Sequence, residues 1–154
     1  MTTIRPASAA DLPDVQRIVH AAYAPYVARI GKPPGPMGDD YRALIRSHAV
    51  WVAGDPVQGV LVLLPAPDHL LLDNVAVDPA AHGRGIGRAL IGFAEAEASR
   101  RGHGELRLYT HALMTENIAL YARTGWQETG RGSQAGFDRV FFRKVPGPMP
   151  SPGR

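Results

Sequence analysis

H-L-L-L-D-N-V-A-V-D-P-A-A-H-G-R-G-I-G-R-A-L-I-G-F-A-E-A-E-A-S-R-R, residues 69–101, is the stretch from which the rest of this 154-residue chain can be read. Leu70–Val77 is apolar and β-branched enough for a buried strand. Asp78-Pro79 ends it, because proline has no N–H to give a ladder. His82-Gly83-Arg84-Gly85-Ile86-Gly87-Arg88 then sets glycine at three alternate positions. Ile86, Leu90, Phe93 or Ala94, and Ala98 recur at helical spacing. The order is strand, short loop, glycine-rich turn, helix.

The composition of that first helical turn is unusual. A helix N-terminus carries about half a positive charge and favours carboxylates. Here stand Arg84, Gly85, Gly87 and Arg88. An interior glycine costs up to ~1 kcal/mol of helix propensity, and the arginines add like charge to the positive pole. Both choices become favourable if an anion, a phosphate or pyrophosphate, rests on the exposed amides. The plainer reading is a tight strand-to-helix connection that needs positive φ. A P-loop would require Gly-Lys-Ser/Thr, which is absent from the chain. The dinucleotide fingerprint G-x-G-x-x-G fails from Gly83, where its third glycine is Arg88, and from Gly85, where it is Leu90.

What remains, H-x-x-G-x-G after V-A-V-D-P, resembles the pyrophosphate loop of the GNAT superfamily, the acyl-CoA-dependent N-acyltransferases. Their signature is Gln or Arg, then x-x-G-x-G or A. Gly85 and Gly87 match, and His82 stands at the Gln/Arg position. A second motif lies in residues 111–126, H-A-L-M-T-E-N-I-A-L-Y-A-R-T-G-W. Asn117 and Tyr121 are i,i+4 and share a helix face. An amide and a phenol so placed can meet an elongated polar ligand, or they can be a first-turn residue and a core ring. The order Asn117, Leu120-Tyr121, Gly125-Trp126 resembles the GNAT helix that follows the fifth strand. Both motifs in this order extend the resemblance over residues 2–145.

The resemblance implies an α/β (mixed α+β) fold with a single central, mostly antiparallel sheet. It also implies acetyl-CoA as cosubstrate, its pyrophosphate on His82, Gly83, Arg84, Gly85, Ile86, Gly87 and Arg88. The pantetheine arm would run beside Val75, Ala76 and Val77 and contact Asn117, and a backbone N–H there would polarise the thioester. Tyr121 would be the acid that protonates the departing thiolate. The base is open between two candidates. Asp73 shares strand parity with Val75 and Val77, whereas Asn74 points to the opposite face. His111 has a side chain whose pKa suits neutral pH. Each also has an ordinary structural reading, a strand-end carboxylate and a loop-capping histidine.

Composition narrows the alternatives. The chain is 45% hydrophobic and 20% charged, as in a globular domain with a real core. No apolar run approaches the ~20 residues of a membrane helix, and M-T-T-I-R-P-A-S has no signal-peptide core, so a cytoplasmic location and no membrane partner are expected. There is no cysteine, which removes disulfides and any Cys acyl-enzyme and suits direct attack by an amine. The six histidines form no H-E-x-x-H or H-x-x-x-H pair, so no metal is expected. The net charge is +3, spread over Arg84/Arg88, Arg100/Arg101 and Arg139/Arg143/Lys144. Such scatter speaks against a nucleic-acid partner. The acceptor, a small-molecule or peptide amine, is not named by any residue, and a homodimer is left open.

The remaining elements complete about seven strands and four helices in one domain, residues 1–145, followed by a Pro/Gly-rich disordered tail at 146–154. A first strand spans 2–6. A helix capped by Ser8 carries Leu12, Val15, Ile18, Val19 and Ala22 and stops around Tyr23–Pro25. Residues 25–38 read as a loop with short helical pieces, either a lid bordering the acceptor or a passive connection. A helix covers 39–46. Strands at 48–53 and 57–64 flank Gly54-Asp55-Pro56. Glu97 and Arg101 read as a solvated i,i+4 pair. A strand spans 105–110, and a helix runs from Thr115 to Thr124. Strands at 126–129 and 137–144 are joined by a glycine-rich loop at 130–136.

Overall fold

Continuous apolar runs build the central strands, and apolar stripes at three and four build the helices that cover them. The computed structural model describes residues 2–146. The expected tail, apart from Pro146, lies outside the described residues. The elements are β1 (Ile4–Pro6), α1 (Leu12–Ile30), α2 (Tyr41–Arg46), β2 (Val50–Ala53), β3 (Gly59–Pro65), β4 (Leu70–Val77), α3 (Ile86–Arg100), β5 (Leu106–His111), α4 (Thr115–Arg123), β6 (Gln127–Gln134) and β7 (Phe137–Lys144). The sheet has seven strands in the order β1-β2-β3-β4-β5-β7-β6. Its registered pairs are antiparallel except β4 with β5. No helix among the described residues is long and apolar enough to cross a membrane.

The chain forms two compact units, one of residues up to Leu64 with Asp73–Ala94, the other of Pro65–Leu72 with the chain from Glu95 on. In the first, Leu12, Val15, Ile18 and Val19 of α1 pack with Tyr41 and Ile45 of α2 onto Val50, Val52, Val60, Val62 and Ala76. Trp51 meets Phe93 of α3 at 5.8 Å between ring centroids. β3 begins with a glycine because α3 passes there closely. A Cβ on Gly59 would lie 2.8 Å from Ile86 Cγ2 and 2.9 Å from Leu90 Cδ1.

The expected stop near Pro25 is corrected: α1 runs on to Ile30. Pro25 sits on the exposed side, while Tyr23, Val27 and Ile30 are partly buried and carry the packing stripe past it. One lost backbone donor does not outweigh that burial. The helix ends at Gly31, whose φ of 92° lets its N–H reach Val27 O at 2.8 Å. Residues 35–38 form one 3-10 turn, and the Asp40 side chain caps α2 by accepting from Ala43 N–H.

The N-terminus is held by charge. Arg5 donates to both Asp11 oxygens at 2.8 and 2.9 Å, and Ser8 N–H donates to the same carboxylate. The Arg5 hydrogen bonds draw the Asp11 carboxyl down to about 2. A group whose pKa falls on folding stabilises above its unfolded value and loses that contribution as pH falls through its folded value. Because Arg5 is half exposed, about 1–2 kcal/mol of stability is expected to disappear between roughly pH 4 and pH 2. Urea titrations across that range will register it, and Asp11→Asn will flatten that part of the profile.

In the second unit, β4 contributes Leu70 and Leu71, paired in parallel with Leu106 and Arg107. β5 pairs along its length with β7, and β7 with β6. The expected 130–136 loop is corrected: β6 extends to Gln134, and the turn is Ala135-Gly136 alone, with φ of 53° and 80°. Two positive-φ residues make the two-residue hairpin turn that matches strand twist. Glycines are tolerated in β6 because it is an edge strand, exposed at every residue, and bulged between Glu128 and Gly130. Glu97 is also corrected. It is buried rather than solvated, and accepts from Arg100 twice at 2.7 Å and from Arg101 at 2.8 Å.

Candidate functional site

The candidate residues divide between the two units. In the first, β4 alternates as expected. Asp73, Val75 and Val77 are half-buried on one face, and Asn74 and Ala76 are buried on the other. Asn74 has a role that its sequence position did not reveal. Tyr23 donates its hydroxyl to Asn74 Oδ1 at 2.6 Å, Asn74 Nδ2 donates to the Tyr41 oxygen at 2.9 Å, and Tyr41 donates to Pro36 O at 2.5 Å. This chain of bonds ties β4 to α1, α2 and the 3-10 turn at 35–38. Burial, with the charges of Asp39 and Asp73, pushes the Tyr41 hydroxyl well above the ordinary phenol range, so it stays a donor. The available signal was a lone amide beside Asp73 in a mostly apolar run, since a buried amide requires partners.

After β4, Asp78 stops the strand and starts the turn. Its side chain accepts from Ala80 N–H at 3.0 Å and from Arg17 at 2.9 Å, and its own N–H reaches Gln58 O at 2.8 Å. Gly83 and Gly85 then have φ of 81° and 76°, which favours glycine at both positions. A Cβ at either would meet nothing within 4 Å, so the space above the turn is open. The first bond of α3 runs from Ala89 N–H to Gly85 O. The N–H groups of Ile86, Gly87 and Arg88 precede it, at the positive end of a 15-residue helix. His82, Arg84 and Arg88 are exposed, and Ile86 is buried as the first residue of the α3 stripe. Arg84 also lines a cavity of about 690 Å³ with Thr2, Thr3, Arg5, Asp55 and Gln58. Backbone conformation alone accounts for the two glycines. Donors, open space and two exposed arginines make the same turn fit for a bound anion.

In the second unit, Asn117 is half-buried on α4 and its Nδ2 approaches Met114 Sδ at 3.6 Å. Tyr121 is buried one turn on, its ring edge-on to Trp126 at 5.8 Å and tilted on Phe142 at 5.7 Å. The ring is thus a core ring, packed on its two aromatic neighbours. Trp126 Nε1 is buried without a hydrogen-bond partner. His111 takes the capping role: its Nδ1 accepts from Leu113 N–H at 3.0 Å, which occupies the lone pair that a base would need at that atom.

Comparison with known proteins follows this geometry. Residues 46–128 match the family model described as an acetyltransferase (GNAT) domain, a span that contains both the 82–88 turn and Asn117–Tyr121. The chain is 35% identical over 104 residues to N-acetyltransferase family 8 member 3 of Rattus norvegicus, covering 61% of this chain and 46% of that one. It spans about half the length of the curated relatives it matches first. Among solved structures, the ribosomal-protein-S18-alanine N-acetyltransferase of Escherichia coli aligns with a TM-score of 0.75 at 22% identity, over 100% of this chain and 99% of that one. The PaiA N-acetyltransferase of Thermoplasma acidophilum, solved with coenzyme A, aligns with a TM-score of 0.72 at 18% identity, over 94% and 99%. At those identities the two structures establish the fold.

Proposed function

This chain belongs to the GNAT acetyltransferase family, and from that premise we propose that it moves an acetyl group from acetyl-CoA directly to a primary amine. The observation that carries the proposal is the turn at Gly83–Gly85, with open space above it and the donors of α3 behind it. The pyrophosphate rests on the backbone of 82–88, where helix N–H groups and Arg84 and Arg88 supply positive charge. The pantetheine arm lies along Val75–Val77 in the manner of an added strand, with Asn117 bonding to it.

The acceptor nitrogen attacks the thioester carbon, the C–S bond breaks, and a β4 N–H stabilises the oxygen as it gains charge. An alkylamine with a pKa near 10.4 is only about 0.04% neutral at pH 7, so removing its proton is worth up to roughly a thousandfold. We assign that proton to Asp73, on the β4 face that carries Val75 and Val77. Tyr121 gives a proton to the thiolate.

The test is thiol release from acetyl-CoA against pooled amines, small molecules and peptide N-termini together, with the melting temperature followed in parallel. Release that requires an amine establishes the transferase, and splitting the pool identifies the acceptor class. Stabilisation by acetyl-CoA without release from any pool would move the protein to a non-catalytic acyl-CoA sensor. Absence of both would overturn the role given to the 82–88 turn.

A further inference from the structure

A backbone carbonyl can only accept, so the Tyr41 hydroxyl that meets Pro36 O at 2.5 Å donates there. With its proton given to Pro36, Tyr41 accepts from Asn74 Nδ2 at 2.9 Å. That turns Asn74 Oδ1 toward Tyr23, which donates to it at 2.6 Å and lies 3.4 Å from Val75 O. One acceptor-only carbonyl thus fixes the direction of every bond in the chain. All of its members belong to the first unit.

Core packing does not require this arrangement. Asn74 and Tyr41 are 2% and 3% exposed, and Asn74 shares the buried face of β4 with Ala76. Exchanging such partners for apolar groups of the same shape can be nearly neutral for stability. What the bonds add is the seating of the 3-10 turn at 35–38. Pro34 is buried there, and Pro36 and Met37 are half-buried. Pro36 O also meets Asp39 N–H at 3.5 Å, and Met37 N–H reaches Pro34 O at 3.1 Å. The carbonyl that Tyr41 holds is therefore the one that leads into Asp39. The charges of Asp39 and Asp73 both act on the Tyr41 hydroxyl, so the turn stands near the β4 residue to which the acceptor's proton is assigned.

We propose that Asn74 and Tyr41 are positioning residues for the acceptor: through Pro36 O they fix the 35–39 segment against β4 and so set where the amine stands before it attacks. This assignment rests on the transferase reading for its kinetic consequence, and on the hydrogen bonds alone for the held segment. The 82–88 turn contributes no atom to the chain of bonds, so the effect falls on the amine and spares acetyl-CoA. Residues 35–39 then form a fixed wall, neither a moving lid nor a passive connection.

The test compares the native chain with Tyr41→Phe, Asn74→Leu and the double variant, each checked for its melting temperature. Tyr41→Phe keeps the ring and carries the test alone if Asn74→Leu does not fold. With an amine that the pooled assay identifies, Tyr41→Phe should raise the KM for that amine at least tenfold and leave the KM for acetyl-CoA within twofold. Asn74→Leu should do the same, yet add less than twofold in the Tyr41→Phe background, because residues of one network are not additive. Hydrogen exchange of residues 35–40 should quicken at least tenfold in Tyr41→Phe, while β3 and α3 keep their rates. Equal rises in the two KM values, effects of the two substitutions that simply multiply, or unchanged exchange at 35–40 would overturn the inference. Failure of the transferase reading shows differently, as no thiol release by the native chain, and exchange in Tyr41→Phe then still decides for or against the held segment.

Discussion

Replacing Gly85 by valine is expected to abolish the rise in melting temperature that acetyl-CoA gives the native chain. The backbone there has a φ of 76°, and a Cβ would extend into space that no other protein atom occupies within 4 Å. A left-handed residue other than glycine costs about 1–2 kcal/mol, so the unliganded variant still folds, with its melting point lower by several degrees. The ligand-dependent part behaves differently. A ligand at a hundred times its Kd adds about 2.7 kcal/mol to the native protein, and valine fills the volume where its phosphates would sit. Thermal scans with and without acetyl-CoA separate the two effects. Full ligand stabilisation in the variant would mean that the glycines serve backbone geometry only.

Tyr121→Phe is expected to lower kcat by roughly ten- to a hundredfold, at or below the low end of general-acid effects, because a thiol with a pKa near 8.5 leaves with little help. The substitution suits this test because the ring stays. Its contacts with Trp126 and Phe142 at 5.8 and 5.7 Å do not need the hydroxyl, so the melting temperature should hold within a few degrees. Truncation to alanine is a poor substitute. Removing a buried ring of this size costs about 3–5 kcal/mol, and lost activity would then report lost structure. An unchanged kcat in the phenylalanine variant would remove Tyr121 from the proton path. A rate loss that shrinks as the thiol's pKa is lowered in acetyl-CoA analogues would confirm an acid at the leaving group.

The parts of the fold legible in the sequence are those where one strong local pattern decides. β4 and β7 fall on their expected residues because apolar, β-branched or aromatic runs and flanking turn residues agree there. α3 keeps its stripe from Ile86 to Ala98 and its terminal glycine. Where local and tertiary signals conflict, the tertiary one wins. Pro25 is a helix breaker by type, yet the face through Tyr23, Val27 and Ile30 carries α1 past it. Gly130 and Gly132 resemble a loop, yet the register with β7 makes them strand. The same division holds for the candidate site. The 82–88 turn is contiguous and visible in one line of sequence. The Tyr23–Asn74–Tyr41 chain joins residues from three elements that only the fold brings together.

The first strand has a temporal consequence. Ile4 is opposite Ala53 and Pro6 is opposite Trp51, so β1 finds its partner only across roughly fifty residues of chain. β6 and β7 are joined by two residues and can zip within microseconds of being made. Closing a long loop costs entropy before it yields contacts. During synthesis, β1 must therefore wait for α1, α2 and β2 before its partner strand exists. Until then the Arg5–Asp11 fork, only six residues in span, is the local structure that can hold it in place.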